Sequence, residues 1–468
     1  MPHALGCVFW KRSWVDTCNQ DWCLISVPKT IDSLCPMADP QRLKLLVITM
    51  MYEPDCVGIA AIASDMCAAL AERGHDVTVY TTYPYYPEWK LKADTSPLRV
   101  QQTSIQGVQV RRHRIFVPSD PSRLLPRLIH ELSFPVSLLR SLFHGKQYDV
   151  VMVYCPLMGG VAFAALRKLL FRDPLWVNIQ DIPVEAAAAS GIIRSGLLAR
   201  LAKVAQTFLF NRADVCSSIS PDMVRQIKTI KKDDTPIHLC PNWLTGSLHE
   251  QVRQVAGKVG RIPQQPTKLL YCGTIGKKQG LLQFCQSLSK CEGDFHFQIR
   301  GDGGEAEQVR RWVESCADRR FAFGALLSQS EFVNAIHAAD WFVVPQKSSV
   351  GSSFFPSKLI PSIFIGTPIL AISDGAGPLY NEVSENGLGL VVPWSQLDRL
   401  TDQLDALRRD PARFEQLQAN CVRRAQAFDR DCAIDQYDSL LQEQRSRSNS
   451  PSARSLFRGR SKGRVPTA

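Results

Sequence analysis

Twice in its length the chain repeats one unit: a short uninterrupted apolar run, a glycine-bearing loop, a helical pattern and a second apolar run. Leu45 to Ile48 opens the first copy. A loop with Gly58 follows, then "ASDMCAALAERGH" with helical spacing closed by Gly74, then "DVTVYTTYP". Such runs fit strands buried on both faces. Parallel strands need long crossovers, usually helical. The unit recurs through "YDVVMVYCP", "GGVAFAALRKLLF" and "PLWVNIQDIP", then "RLAKVAQTFLFNRA" and "DVCSSIS". "VQVRRHRIFV" adds a strand, and "PIHLCPNW" ends this half. Residues 244–266 are polar and carry Pro and Gly, which is linker composition. The pattern then restarts with "TKLLYCG", "GLLQFCQSLSKC", "FHFQIRG" and "EAEQVRRWVESCA", and continues through "ADWFVVPQ", "SKLIPSIFIG", "PILAI" and "GLGLVVP" to two terminal helices. The expected class is α/β, with two doubly wound domains.

Length fits this division, since 468 residues exceed one ordinary core. The expected boundaries are a poorly ordered extension over 1–41, a first Rossmann-like domain over 42–243, a linker over 244–266 and a second domain over 267–426. A terminal helix is expected over 427–444 and a disordered tail over 445–468. The first 36 residues lack an uncharged stretch of signal-peptide length, and Met37 is a candidate start. The tail holds seven Lys/Arg and no acid, a large share of the net charge of +11. It reads as solvated, and no nucleic-acid partner is expected. None of the fifteen cysteines forms a CxxC pair, and most lie in apolar runs. That pattern points to reduced, buried thiols and a cytoplasmic setting, with no metal site expected. The longest uncharged run, 150–166, is 17 residues and is split by Pro156 and two glycines, too short to span a membrane.

In open α/β sheets ligands bind beyond the carboxyl ends of the strands, so the loops after strands carry the candidates. "CGTIGKKQG" (272–280) offers Gly273 and Gly276 for close backbone approach, with Lys277 and Lys278 beside a helix N-terminus. This is a phosphate-cradling composition without a Walker lysine-hydroxyl pair. "RGDGGEAEQ" (300–308) contributes Gly301, with a plain capped turn as the competing reading. "VVPQKSSVGSSFFPSK" brings Lys347, Ser348, Ser349, Ser352, Ser353, Ser357 and Lys358 together ahead of a helix. A cation at a helix start opposes the helix dipole, which favours anions there; Lys358 therefore reads as serving an anionic ligand. Gly58 would let the first domain's backbone approach that ligand. Asp181 and Glu185 follow a strand in "NIQDIPVEAAAASG", where carboxylates hold sugar hydroxyls or take a proton. Capping of a helix is the alternative role for Asp181.

"PSKL" before "GTPIL", "YCGTIGKKQGL", "PYYPEW", "QDIPVEAA", "SISPDM" and "CPNW" together resemble the family 4 retaining glycosyltransferases. The nearest likeness is to the group with colanic-acid and O-antigen enzymes, some using fucose-type or fucosamine-type donors. It extends from Lys44 to Phe428. The resemblance implies a GT-B fold, two Rossmann-like domains facing a central cleft. It places a nucleotide-sugar donor on the second domain and the acceptor on the first, with a last helix crossing back. It implies no metal and no cofactor, the leaving diphosphate being stabilised by positive side chains and helix ends. Many members carry a glutamate pair with seven residues between; those positions here are Ser353 and Pro361. The usual arginine and lysine of the second domain's first loop fall on Thr274 and Gln279. Lys358, Lys277 and Lys278 are then the phosphate candidates, and Glu382 the candidate for the donor ribose.

The stretch "PSRLLPRLIHELSFPVSLLRSLFHGKQ" (121–147) is apolar and basic, and reads either as an interfacial segment or as a buried helix pair. The expected function is transfer of a sugar from a UDP- or GDP-sugar to a growing, lipid-linked exopolysaccharide or O-antigen glycan. Peripheral contact with an anionic membrane at the cytoplasmic face goes with it. Two alternatives compete: a degenerate nucleotide-sugar-binding partner without turnover, suggested by Ser353 and Pro361, and a GT-B epimerase or hydrolase. Lys358, Lys278 and Asp181 are the expected catalytic groups. Gly58, Gly273, Gly276, Lys277, Gly301, Lys347, Ser357 and Glu382 are expected to bind the donor, and Asp181 and Glu185 the acceptor.

Overall fold

The computed structural model describes residues 41–449 except 56–57, 86–87, 92–99, 121–122, 146, 186–195, 232, 258, 348–354 and 376. The fold lies within the unit Arg42–Ala468.

Eight strands build the first sheet: β1 Lys44–Ile48, β2 Asp76–Thr82, β3 Gln101–Ile105, β4 Val108–His113, β5 Val150–Cys155, β6 Leu175–Ile179, β7 Val215–Ser218 and β8 Ile237–Leu239. Their lateral order is β3-β4-β2-β1-β5-β6-β7-β8, parallel except for β3–β4. Helices α1 Ile59–Glu72, α2 Leu124–Leu138, α3 Met158–Phe171, α4 Leu197–Phe210 and α5 Pro221–Ile230 connect the strands, and α6 Gly246–Val255 follows. The second sheet holds β9 Thr267–Cys272, β10 Phe295–Arg300, β11 Phe321–Gly324, β12 Trp341–Pro345, β13 Ile369–Ile372 and β14 Gly389–Val392. Its order is β11-β10-β9-β12-β13-β14, parallel throughout. Around it run α7 Leu281–Leu288, α8 Ala306–Cys316, α9 Gln329–Ala338, α10 Leu359–Ile365, α11 Pro378–Glu385, α12 Leu400–Arg408, α13 Pro411–Ala425 and α14 Arg430–Asn449.

Local chemistry sets the boundaries. Every residue of β5 is buried, as a central parallel strand requires. Ser220 caps α5 by accepting from Met223 N–H, and Pro221 takes the first helical position, where no N–H is needed. Ser328 and Glu331 form a reciprocal capping box on α9. Pro361 is the third residue of α10, inside the first turn, so its missing N–H breaks no helical bond. Gly366 ends α10 in the left-handed conformation (φ 83°).

Two readings of the sequence are corrected, and one strand was not anticipated. Residues 101–105, "QQTSI", form the exposed edge strand β3, paired to β4 through a tight turn in which Gln106 and Gly107 both have positive φ. Their polarity hid the strand, because an edge needs no apolar face. Residues 244–266 contain α6, whose Val252 is fully buried, so polar composition concealed a packed helix. The last helix runs to Asn449, past the expected start of a disordered tail at 445. The rest of that tail, and the first 40 residues, lie outside the described residues.

One apolar cluster joins the two sheets: it takes in Leu46 and Val153 of the first, Leu270 and Phe342 of the second, and Leu244 and Val252 between. The chain also returns on itself. Ile434, Tyr437 and Leu441 of α14, spaced for one helical face, belong to the core on the other side of the first sheet. The Tyr437 ring stacks on Trp176 at 5.6 Å, and its hydroxyl accepts from Asn178 Nδ2 at 2.6 Å. Arg430 pairs with Asp65 of α1 through both carboxylate oxygens, at 2.8 and 3.0 Å. Tyr437→Ala should therefore lower the unfolding free energy by about 3–5 kcal/mol. Tyr437→Phe, which strands the Asn178 amide, should cost about 1–2 kcal/mol. Urea unfolding of the variants checks both, and equal effects would remove the polar contribution.

Candidate active site

In each sheet the strand order reverses beside the first strand, between β1 and β5 and between β9 and β12. Loops leaving these pairs diverge and open a crevice at the carboxyl ends. Gly58 leads out of the β1 loop into α1 with φ 58° and ψ −124°, a conformation that glycine tolerates. A Cβ there would meet nothing within 4 Å. The backbone at Gly58 is thus open to a ligand, and backbone conformation is what demands glycine.

The β9 loop is held from two sides. Gly273 N–H donates to the Arg300 carbonyl and Ile275 N–H to the Asp302 carbonyl, at 3.0 and 2.8 Å. A Cβ on Gly301 would lie 2.1 Å from the Gly273 carbonyl oxygen, and one on Gly303 2.4 Å from that of Ile275. The structure thus gives Gly301 a packing role between the loops after β9 and β10. Gly276 has room, its nearest neighbour being the flexible Gln279 amide at 3.4 Å. On the other side, Lys347 N–H donates to the Lys278 carbonyl at 2.9 Å. The Lys347 side chain lies against Gly280, where a Cβ would come within 2.8 Å of it. Trp394 closes this corner, its indole N–H donating to the Gln346 carbonyl at 2.9 Å. The loops bearing Lys277, Lys278 and Lys347 are therefore one assembly. Lys277 is exposed, and Lys278 and Lys347 are half-buried.

Lys358 stands at the start of α10 but caps nothing. Its side chain passes to β9, with Nζ 3.1 Å from Tyr271 Oη and 4.2 Å from the centre of the Tyr271 ring. The tyrosine hydroxyl donates onward to the Thr274 carbonyl. No carboxylate pairs with Lys358 among the described residues. Burial pushes its pKa down to about 7. Tyr271 was not a candidate from the sequence; its place inside an apolar strand run gave no sign that its hydroxyl would hold a lysine. Ser357 is exposed beside Lys358, whereas Ser348, Ser349, Ser352 and Ser353 lie outside the described residues.

The first sheet contributes Asp181 and Glu185, just beyond β6. Asp181 Oδ1 and Glu185 Oε2 are shielded from solvent and accept no hydrogen bond among the described residues. Desolvation carries the Asp181 pKa up to about 6, and the charge that opposes it is Lys278, on the second sheet's β9 loop. Asp181 thus lies within electrostatic reach of the lysine loop across the crevice. Glu382 does not join them. It is buried, and both its oxygens accept from Arg424, at 2.7 and 3.0 Å, tying α11 to α13. This pair gives Glu382 a packing contact within the second domain.

Among the described residues no cluster of three His, Cys, Asp or Glu side chains is placed to hold a metal ion. The described cysteines are free and mostly buried.

Two sheets of this kind, each with its crevice facing the other's loops, define the GT-B architecture, and solved structures share it. Sucrose-phosphate synthase from Thermosynechococcus elongatus superposes with a TM-score of 0.64 at 17% identity, over 86% of this chain and 99% of that one. HepE from Anabaena, solved in complex with UDP and glucose, gives 0.59 at 14% identity, over 86% and 100%. Residues 57–243 match the family described as the glycosyl transferase 4-like domain. It is also 28% identical over 337 residues to WcaI of Escherichia coli (strain K12), named for glycosyl transfer in colanic acid biosynthesis, covering 69% of this chain and 82% of that protein.

The glycine contacts yield a test of the loop geometry. Gly301→Ala should destabilise the protein by about 1–3 kcal/mol, because backbone must move. Gly276→Ala should be nearly neutral, since only the Gln279 side chain must shift. Thermal unfolding of the pair checks the order, and equal effects would contradict it.

Proposed function

We propose that this chain is a glycosyltransferase that moves a sugar from a nucleoside-diphosphate sugar to an acceptor hydroxyl. The observation that carries the reading is the placement of Asp181 within electrostatic reach of Lys278 across the crevice, with the half-buried Lys358 held against β9 behind the same loop. In this reading the second sheet binds the donor. Lys277, Lys278, Lys347 and Lys358 face the diphosphate, Gly273 and Gly276 let the β9 loop approach it, and Gly58 comes near it from the first sheet. Ser357 donates a hydroxyl. Asp181 and Glu185 accept hydrogen bonds from the sugar acceptor. UDP or GDP serves as the nucleotide. The structural likeness to HepE, solved in complex with UDP and glucose, favours UDP as the first probe. The likeness to WcaI favours an exopolysaccharide product and a lipid-linked acceptor at a membrane surface.

Transfer with retention fits this arrangement. The bond from the anomeric carbon to the diphosphate oxygen breaks as the acceptor oxygen bonds to the same face, and the acceptor proton passes to the departing phosphate oxygen. The protein then supplies position and charge. Lys358 starts as a poorly solvated ammonium, so a developing phosphate charge gains more from it than from a hydrated surface lysine. Lys358→Ala should lower kcat about 10²–10³-fold, the range for losing a donor to a developing oxyanion.

The pH profile of kcat/KM follows from the two shifted groups. Asp181 must be ionised to accept, so activity falls as pH drops through about 6. Lys358 must be protonated to stabilise the diphosphate, so activity falls as pH rises through about 7. The profile should be a narrow bell between these limbs. Lys358→Arg should remove the alkaline limb and Asp181→Asn the acid one. Thermal shifts with UDP, GDP and their sugars identify the donor. No shift with any nucleotide would overturn the reading. A shift without turnover on any glycan acceptor would favour a binding protein, which Ser353 and Pro361 also suggest.

A further inference from the structure

We infer that α2, the end of α3 and α4 together form a docking face for an anionic lipid bilayer. This deepens the membrane-surface acceptor just proposed, and it does not depend on the transfer chemistry. Helix α3 packs against both α2 and α4, so the three lie side by side on one face of the first sheet. Each turns apolar side chains both ways. Helix α2 buries Phe134 and Leu138 yet exposes Leu125, Leu132 and Val136 by 62–68%. Helix α4 buries Phe210 yet exposes Leu197, Leu201, Val204 and Phe208, spaced as a single stripe along its outer side. Leu169 at the end of α3 is 75% exposed, and Phe143 after α2 is 74% exposed. Thirteen of the nineteen exposed large apolar side chains among the described residues fall on these elements. Scattered exposure is ordinary, but concentration on one face marks an interaction surface.

Charge selects the occupant. Residues 123–143, 158–172 and 197–212 hold nine Lys/Arg and one acid, Glu131. Glu131 is engaged by Arg127 at 3.2 Å, and Arg167 is buried. Arg140, Arg172, Arg200, Lys203 and Arg212 are exposed around the apolar stripe. Lipid phosphates match long basic side chains whose stems lie along an apolar surface, while the leucines enter the acyl boundary. A second copy docked face to face would set arginines against arginines, which disfavours a dimer. No described helix is long and apolar enough to cross a membrane, so the contact is peripheral.

The test is co-sedimentation of the full chain with phosphatidylcholine vesicles, with and without phosphatidylglycerol. Binding is expected only with phosphatidylglycerol and should weaken with salt. The Leu201→Ser/Val204→Ser double variant should lower the partition coefficient by about tenfold or more. Arg200→Glu/Lys203→Glu should do likewise, and in both the thermal unfolding midpoint should stay near that of the parent. Undiminished binding by both variants would overturn the proposal and assign any affinity to the basic tail. A concentration-dependent dimer abolished by these variants, with no vesicle binding by the parent, would overturn it in favour of self-association.

Discussion

A parallel sheet whose strand order reverses beside its first strand leaves a crevice between loops that run in opposite directions. This chain makes two such sheets, and the rest of the structure keeps the two crevices together. The apolar cluster through Leu244 and Val252 joins them on one side. Helix α14 does so on the other, returning to the first sheet and anchoring Tyr437 between Trp176 and Trp243. The polar side of that anchor continues inward: Asn178 accepts from Gln180 Nε2 at 2.8 Å, and Gln180 accepts from Asn242 Nδ2 at 2.8 Å. Gln180 immediately precedes Asp181. The last helix and the candidate acceptor carboxylate are therefore coupled through a chain of buried amides, which hold one arrangement because an unmade bond there is costly.

The same burial explains why the site contains charges in unfavourable places. An ammonium against a tyrosine ring and a shielded carboxylate oxygen both lose hydration without gaining an equal partner. Such strain is tolerated where the surrounding fold holds it and a ligand relieves it. The dense packing of the β9, β10 and β12 loops meets the first condition, since Gly301 and Gly303 let backbone rest on backbone. Under the proposed function, an incoming diphosphate would meet the second. The ordering is physical: packing fixes the loops, the fixed loops confine Lys358, and confinement shifts its pKa.

What was legible in the sequence was whatever periodicity or composition encodes directly. Central strands such as β5 and β12 are uniformly apolar and stand out. Helix α8 is found to within one residue at either end, and α7 at its start, though its expected end at Cys291 overshoots Leu288 by three residues. Edge strand β3 is not, because solvent on its outer side removes the apolar signal. Helix α6 hides for the related reason that a polar face outweighs a few buried residues in composition. Lys358 was legible because it contradicts the helix dipole, and Asp181 because it follows a strand. Their environment was not, since Tyr271 reaches Lys358 and Lys278 influences Asp181 only after the sheets assemble. Glu382 shows the converse. A glutamate near a donor loop fits a ribose from sequence alone, and only the fold reveals that Arg424 takes both of its oxygens.

Pro361 bears on how the site can work without the glutamate that the family resemblance leads one to expect there. A carboxylate in the first turn of α10 would lie three residues from Lys358, within reach of a helical neighbour. It would hold the lysine charged and raise its pKa. With proline the lysine has no such partner, and burial beside Tyr271 moves its pKa down to about 7. The substitution therefore alters the electrostatics rather than the shape, because Pro361 keeps the helix intact in its first turn. The lowered lysine pKa follows from burial, and under the proposed function a bound diphosphate would restore the proton that burial loosens.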